Sequence, residues 1–216
     1  MRAKHVVLAR THYDEITKHT RRWSERLKQL FEESGWTVTD CEKATRESVE
    51  EALRAQPESL FVFYGHGQVD HLEGQDGNAI CDLENANLLG RCKVYVMAGH
   101  SVAELGYTAV GECGALVYFG YDEFVNGYWK DGDEHRDMMD VLGECVNSGL
   151  RAWLAHPELT AGEIQQKMKD VYWSWIDYYM ESDDVDYLVA AQFSAKLRHN
   201  LDALKLLGNK QTRLLD

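Results

Sequence analysis

An α/β fold with a mainly parallel central sheet and helices on both faces is the architecture this sequence predicts. Three observations carry it. Short apolar runs such as Leu60-Phe61-Val62-Phe63-Tyr64 read as strands buried on both faces. Stretches with apolar residues at helical spacing separate those runs. The alternation of strand and helix along the chain is that of parallel strands joined by crossover helices.

The elements follow in order. His5 to Ala9 reads as a first buried strand. Asp14 to Ser34 places Ile16, Trp23, Leu27, Leu30 and Phe31 at helical spacing, and Gly35 stops that helix. Trp36 to Thr39 is a second strand, and Thr45 to Ala55 a helix with Val49, Ala52 and Leu53 inward. Leu60 to Tyr64 is the third strand. Asp70 to Ala79, with Gly74 and Gly77, predicts a loop or small hairpin, and Leu83 to Leu89 a short helix or turn. Val94 to Met97 is a fourth strand, Ala103 to Glu112 is helical, and Leu116 to Phe119 is a fifth strand. The remainder is mostly helical. Thr160-Ala161-Gly162-Glu163 matches a capping box, with Ile164, Met168, Val171 and Trp175 on one face behind it. A last helix is expected from Asp184 to Leu207, ending at Gly208.

With 216 residues, 44% hydrophobic and 27% charged, the chain suits a single domain over 1–216 with a proper core. The formal net charge of -13 argues against general nucleic-acid binding, which needs a basic footprint. Lys18, Arg21, Arg22 and Arg26 form a local basic patch, read as a solvated helix face. No segment approaches a membrane span, and the apolar run behind Met1 to Lys4 is too short for a signal peptide. The five cysteines (Cys41, Cys81, Cys92, Cys113, Cys145) are odd in number and form no CxxC pair, which suits reduced thiols and a cytoplasmic setting.

Chemistry is expected beyond the carboxyl ends of the strands, where ligands bind in open parallel sheets. The third strand runs into Tyr64-Gly65-His66-Gly67, and the fourth into Met97-Ala98-Gly99-His100-Ser101. If these strands are neighbours, the two turns face one crevice. Glycines there let a substrate approach and leave N–H groups for an oxyanion, and His66 suits a general acid or base.

The stretch Phe61 to Gly67 resembles the histidine motif of caspase-fold (clan CD) cysteine peptidases, in particular the gingipain-like and CHAT branch. Val94 to Ser101, followed by Leu105-Gly106, resembles that branch's strand, its Ala-Cys-x-Ser turn and its Leu-Gly pair. Gly114 to Tyr121 is similar to the following small-residue strand, and Asn200, Leu204 and Gly208 to the Asn-x-x-x-Leu-x-x-x-Gly ending. The resemblance implies a caspase-like three-layer sandwich and acyl transfer by a Cys-His dyad, with no metal or organic cofactor. It makes His66 the catalytic histidine and Gly67 the oxyanion-hole glycine. The nucleophile position falls on Gly99, which has no thiolate and cannot be acylated. Losing the nucleophile of such a unit costs on the order of 10⁶ in rate. The chain as it stands is therefore expected to bind a peptide or protein partner rather than cleave it, whether the glycine is inherited or introduced.

Three alternatives stay open. Gly99-His100-Ser101-Val102-Ala103 resembles a serine-hydrolase elbow with Ser101 as nucleophile, although such an elbow wants glycine where Ala103 stands. His66, Asp70 and His71 resemble part of a metallo-hydrolase loop, with Gln68 where another histidine belongs. A non-catalytic interaction module is the third, with Tyr172, Trp173, Trp175, Tyr178 and Tyr179 offering a self-association or partner surface in the helical C-terminal half. Trp153, Trp173 and Trp175 are themselves read as packing residues. The loops 68–80 and 121–132 would shape any specificity pocket. Asp122, Glu123, Asp131 and Asp133 would suit a basic substrate residue, though surface solvation explains them equally well.

Overall fold

A computed structural model describes residues 4–129 and 135–216. Asp131 and Asp133 lie outside the described residues. The chain begins with β1 (His5–Arg10), α1 (Glu15–Glu33), β2 (Thr37–Glu42), α2 (Arg46–Ala55) and β3 (Leu60–Tyr64). A small antiparallel hairpin of β4 (His71–Glu73) and β5 (Ala79–Asp82) comes next. A 3₁₀ turn at Ala86–Leu89 leads to β6 (Lys93–Met97), and a π-helical turn at Val102–Gly106 leads to α3 (Tyr107–Gly111) and β7 (Val117–Tyr121). Three long helices, α4 (Arg136–Ala155), α5 (Ala161–Glu181) and α6 (Tyr187–Ala203), precede β8 (Leu204–Gly208).

Six strands form the main sheet in the order β2-β1-β3-β6-β7-β8. All neighbours are parallel except β7 and β8. Side chains alternate across a strand, so each central strand feeds two cores. Val6, Leu8, Val62, Tyr64, Tyr95 and Phe119 face the layer of α1, α4, α5 and α6. Val7, Ala9, Phe61, Phe63, Val94 and Tyr118 face the layer of α2, the 3₁₀ turn and α3. That is why β1, β3, β6 and β7 are buried throughout and apolar but for the end residues His5, Arg10 and Lys93: both of their faces are covered.

The last segment departs from the sequence expectation. The final helix ends at Ala203, and Leu204–Gly208 is an edge strand antiparallel to β7. Over these residues a period-two pattern wins, with Leu204 and Leu206 buried and Lys205 and Leu207 only partly so. Pairing Leu206 with Phe119 also covers the ladder groups that β7 would otherwise leave open. Among the described residues, no helix is long and apolar enough to cross a membrane.

The helical layer is keyed to the sheet by phenols. Tyr64 donates to Asn147 Oδ1, Tyr95 to the Val146 carbonyl at 2.5 Å, and Tyr121 lies 3.1 Å from the Tyr172 hydroxyl. Asn147 Nδ2 donates in turn to the Trp23 carbonyl at 3.0 Å, which ties α4 to α1 as well. Where α1 meets α4, Gly143 makes room for Trp23: a Cβ there would lie 2.3 Å from the indole ring. Gly143→Ala should therefore invert the ordinary helix rule. An alanine in a helix interior normally stabilises by about 1 kcal/mol over glycine, whereas overpacking a tight core costs about 1–3 kcal/mol. We expect a net loss in urea denaturation; a variant as stable as the parent would contradict this packing.

Candidate functional site

β3 and β6 are neighbours in register, with Tyr64 beside Met97. The turns that follow them therefore emerge side by side. Gly67 is the closest approach: a Cβ on it would lie 2.9 Å from both the Ala98 side chain and the Gly99 carbonyl oxygen. Only glycine lets these two turns touch.

Beyond Gly67 the chain folds back as the β4–β5 hairpin. Glu73 N–H donates to the His66 carbonyl at 3.0 Å, and Gln68 N–H to the His71 carbonyl at 2.8 Å. The hairpin is clamped to the loop after β1, where Gln75 exchanges hydrogen bonds with the His12 backbone at 2.7 and 2.9 Å. Tyr13 in that loop donates to Glu73 at 3.1 Å, and its ring leans on the His66 ring with centroids 5.6 Å apart. Among the described residues no group accepts from the Gly67 N–H, which leaves it free to meet an external acceptor.

His66 has a partner the sequence reading did not assign. Its Nε2 lies 2.6 Å from Asp14 Oδ2. Asp14 is the N-cap of α1, in a reciprocal capping box with Thr17. Partial burial works to raise the Asp14 carboxyl, but hydrogen bonds from the Thr17 N–H and hydroxyl and from His66 outweigh it, holding the group below the usual carboxylate range. An ionised carboxylate only accepts, so Nε2 carries the proton in this bond. In the neutral ring the lone pair is then on Nδ1. This is the division of labour of an acid–histidine pair: one nitrogen is pinned, the other is a base. An Asp followed three residues later by Thr at a helix start was a visible capping signal. Nothing in the sequence says that the cap also reaches a histidine 52 positions away.

The second turn is arranged differently. Gly99 is covered by the strap 122–125, which leaves β7. A Cβ on Gly99 would meet Phe124 Cα at 3.0 Å, the Glu123 carbonyl oxygen at 3.2 Å and the Val125 nitrogen at 3.4 Å. His100 has a φ of 57°, the left-handed region that few non-glycine residues adopt. It is held there by the same strap. Its N–H donates to the Glu123 carbonyl at 3.3 Å and its Nδ1 to the Asp122 carbonyl at 3.2 Å, and its ring meets Phe124 edge-on at 4.2 Å.

The far side of the strap is anchored by the C-terminal elements. His199 Nε2 donates to the Phe124 carbonyl at 2.9 Å, Lys205 pairs with Asp122 at 3.0 Å, and the buried Asn200 amide exchanges two hydrogen bonds with the Asn126 backbone at 2.7 and 2.8 Å. Asn200 is therefore a positioning residue that the sequence reading quoted but gave no task.

The remaining candidates separate from the pair. Ser101 is fully buried, and its Oγ donates to the Ala98 carbonyl at 2.9 Å. On its other side it closes on Gly120, where a Cβ would lie 2.7 Å from it. A substrate carbonyl has no path to it, and among the described residues no histidine hydrogen-bonds to its hydroxyl. Asp70 and His71 bind one another at 2.7 Å, and no cluster of three His, Cys, Asp or Glu suited to a metal exists among the described residues. All five cysteines are unpaired. Burial pushes the Cys41 thiol up to about 11 and Cys81 up to about 12, and Cys92, Cys113 and Cys145 are raised as well, the opposite of an activated thiolate. The basic patch on α1 is neutralised, with Lys18 on Glu15, Arg21 on Glu42, and Arg22 and Arg26 on Asp140.

A cavity of about 560 Å³ adjoins the pair, lined by Asp14, Glu15, Ile16, Gly127, Tyr128, Trp129 and Lys196. Its lining comes from the loop 121–132, the first turn of α1 and α6, with no residue from the loop 68–80. Comparison with known proteins adds no relative, since no protein-family model and no curated protein matches the chain.

Asp14 has two tasks, and its removal should register in stability. Its folded pKa lies below its ordinary value of 3.8, so its contribution is fully present above that value and is lost as pH falls through the folded pKa. Asp14→Ala should destabilise by about 1–2 kcal/mol at neutral pH. The gap to the parent should narrow in denaturation series taken below pH ~4. A gap independent of pH would show that the carboxylate charge contributes nothing.

Proposed function

We propose that this chain is a catalytically inert homologue of the caspase-fold cysteine peptidases, of the gingipain-like and CHAT type, which binds a peptide or protein ligand beside His66 instead of cleaving it. One observation carries the proposal. The position that should bear the nucleophile is a glycine packed closely under the protein's own backbone, where a Cβ would lie 3.0–3.4 Å from Glu123, Phe124 and Val125.

The parts that do not depend on a thiol support the reading. His66 keeps an oriented ring with Nδ1 unoccupied, Gly67 keeps an unengaged N–H, and an aromatic-walled cavity opens next to Asp14. In a cysteine-bearing ancestor the thiolate would attack the scissile carbonyl, the Gly67 N–H would stabilise the oxyanion, and His66 would protonate the leaving amine. Without the thiolate, the same donors can hold a carbonyl group but have nothing to add to it. The serine-hydrolase reading gains no support, because Ser101 is sealed from solvent.

The test puts the thiol back. The parent protein should hydrolyse no member of a peptide library. Gly99→Cys requires the strap to give by a few tenths of an ångström, so the variant should fold with a modest loss of stability. Its new thiol should react with iodoacetamide about tenfold faster than an ordinary thiol of pKa about 8.5. A further His66→Ala change should abolish that advantage. A thiol in Gly99→Cys that reacts no faster than Cys113, or one indifferent to His66, would contradict the proposal, as would peptide hydrolysis by the parent.

A further inference from the structure

The corner where α5 turns into α6 has no role in the site described above, and it is unusual in two independent ways. Its large apolar side chains point outward: Tyr178 is 43% exposed, Met180 56%, Tyr187 73% and Leu188 67%. Interspersed with them, Asp177, Glu181, Asp183, Asp184 and Asp186 are all exposed. No lysine or arginine occurs between Lys169 and Lys196. None of these five carboxylates has an ion-pair partner among the described residues.

The surface is also prepared. Tyr178 is braced by Trp175 and Tyr179, with ring centroids 5.5 and 5.2 Å apart. Asp186 caps α6 by accepting from Leu188 N–H at 3.0 Å and Val189 N–H at 3.2 Å, which fixes where Tyr187 and Leu188 project. Exposed aromatic and aliphatic side chains already held in place lose little freedom on binding. Of the aromatics expected to form an interface, Tyr172 and Tyr179 are buried; Trp173 is 39% exposed, contrary to its reading as a packing residue, with Arg198 over one face of its ring at 4.4 Å, and the most exposed apolar side chains, Tyr187, Leu188 and Met180, gather at the corner.

We propose that this corner is a docking surface for a basic amphipathic segment of a partner protein, one that presents Lys or Arg to the carboxylates and an apolar stripe to Tyr178, Met180, Tyr187 and Leu188. Charge decides the occupant. A second copy docked symmetrically would bring the same five acids against themselves, which is repulsive. A cationic segment satisfies both the apolar and the charged groups.

The test uses a fluorescein-labelled amphipathic Leu/Lys helical peptide and its Leu/Glu counterpart, read by anisotropy against the full chain. The Leu/Lys peptide should bind and weaken with salt, and the Leu/Glu peptide should not bind. Tyr187→Ala/Leu188→Ala, which leaves the net charge unchanged, should weaken binding about tenfold or more. Asp183→Lys/Asp184→Lys should do the same, while the equal charge change Glu47→Lys/Glu112→Lys should leave it within about twofold. Circular dichroism confirms that each variant is folded. Equal losses for the two lysine pairs, or binding unaffected by Tyr187→Ala/Leu188→Ala, would reduce the effect to bulk acidity and overturn the proposal. Sedimentation showing self-association through the corner, abolished by Tyr187→Ala/Leu188→Ala, would also overturn it.

Discussion

β3 and β6 lie side by side with Tyr64 against Met97, and the backbone after each strand is so close that Gly67 rests on the Gly99 carbonyl. The geometry of the site depends on that contact. It places a histidine turn and a small-residue turn at one end of the sheet, where strand ends leave backbone donors unpaired. It also removes any choice at position 67, because a methyl group would force the strands apart. The packing demand alone explains the glycine at position 67.

Two supports hold this junction, one from each side. The N-terminal support is Asp14, which begins α1 and at the same time pins His66 Nε2. The C-terminal support is the strap 122–125, gripped by His199, Asn200 and Lys205 and closed over Gly99. The first fixes the orientation of the His66 ring, and the second packs closely over Gly99. On the reading proposed above, such a site holds a ligand without forming a covalent bond with it.

Much of the fold was legible because buried strands leave an unmistakable trace. Leu60–Tyr64 and Lys93–Met97 are covered on both faces, and their apolar runs mark them without any structure. The capping box at Thr160 was equally plain. The end of the chain was not. Leu204 to Leu207 fits a helix as well as a strand by composition, and only the open edge of β7 decides between them. In the site, His66, Gly67 and Gly99 stand out as turn residues behind strands. Asp14 and Asn200 do not, since their partners are 52 and 74 positions away in the chain. Local pattern carries no record of such pairs, and side-chain contacts between distant loops are what distinguish a pocket from a turn.

The close packing of the strap 122–125 over Gly99 is what the proposed reading of the site rests on. The most direct measurement is a nuclear Overhauser experiment on isotopically labelled protein, read between the Gly99 α-protons and the Phe124 α-proton. A strong cross-peak is expected, with the Glu123 and Val125 backbone nearby and His100 held in its left-handed conformation. No cross-peak, with the strap residues tumbling independently of the sheet, would mean that Gly99 faces an open pocket, and the account of the site would fail.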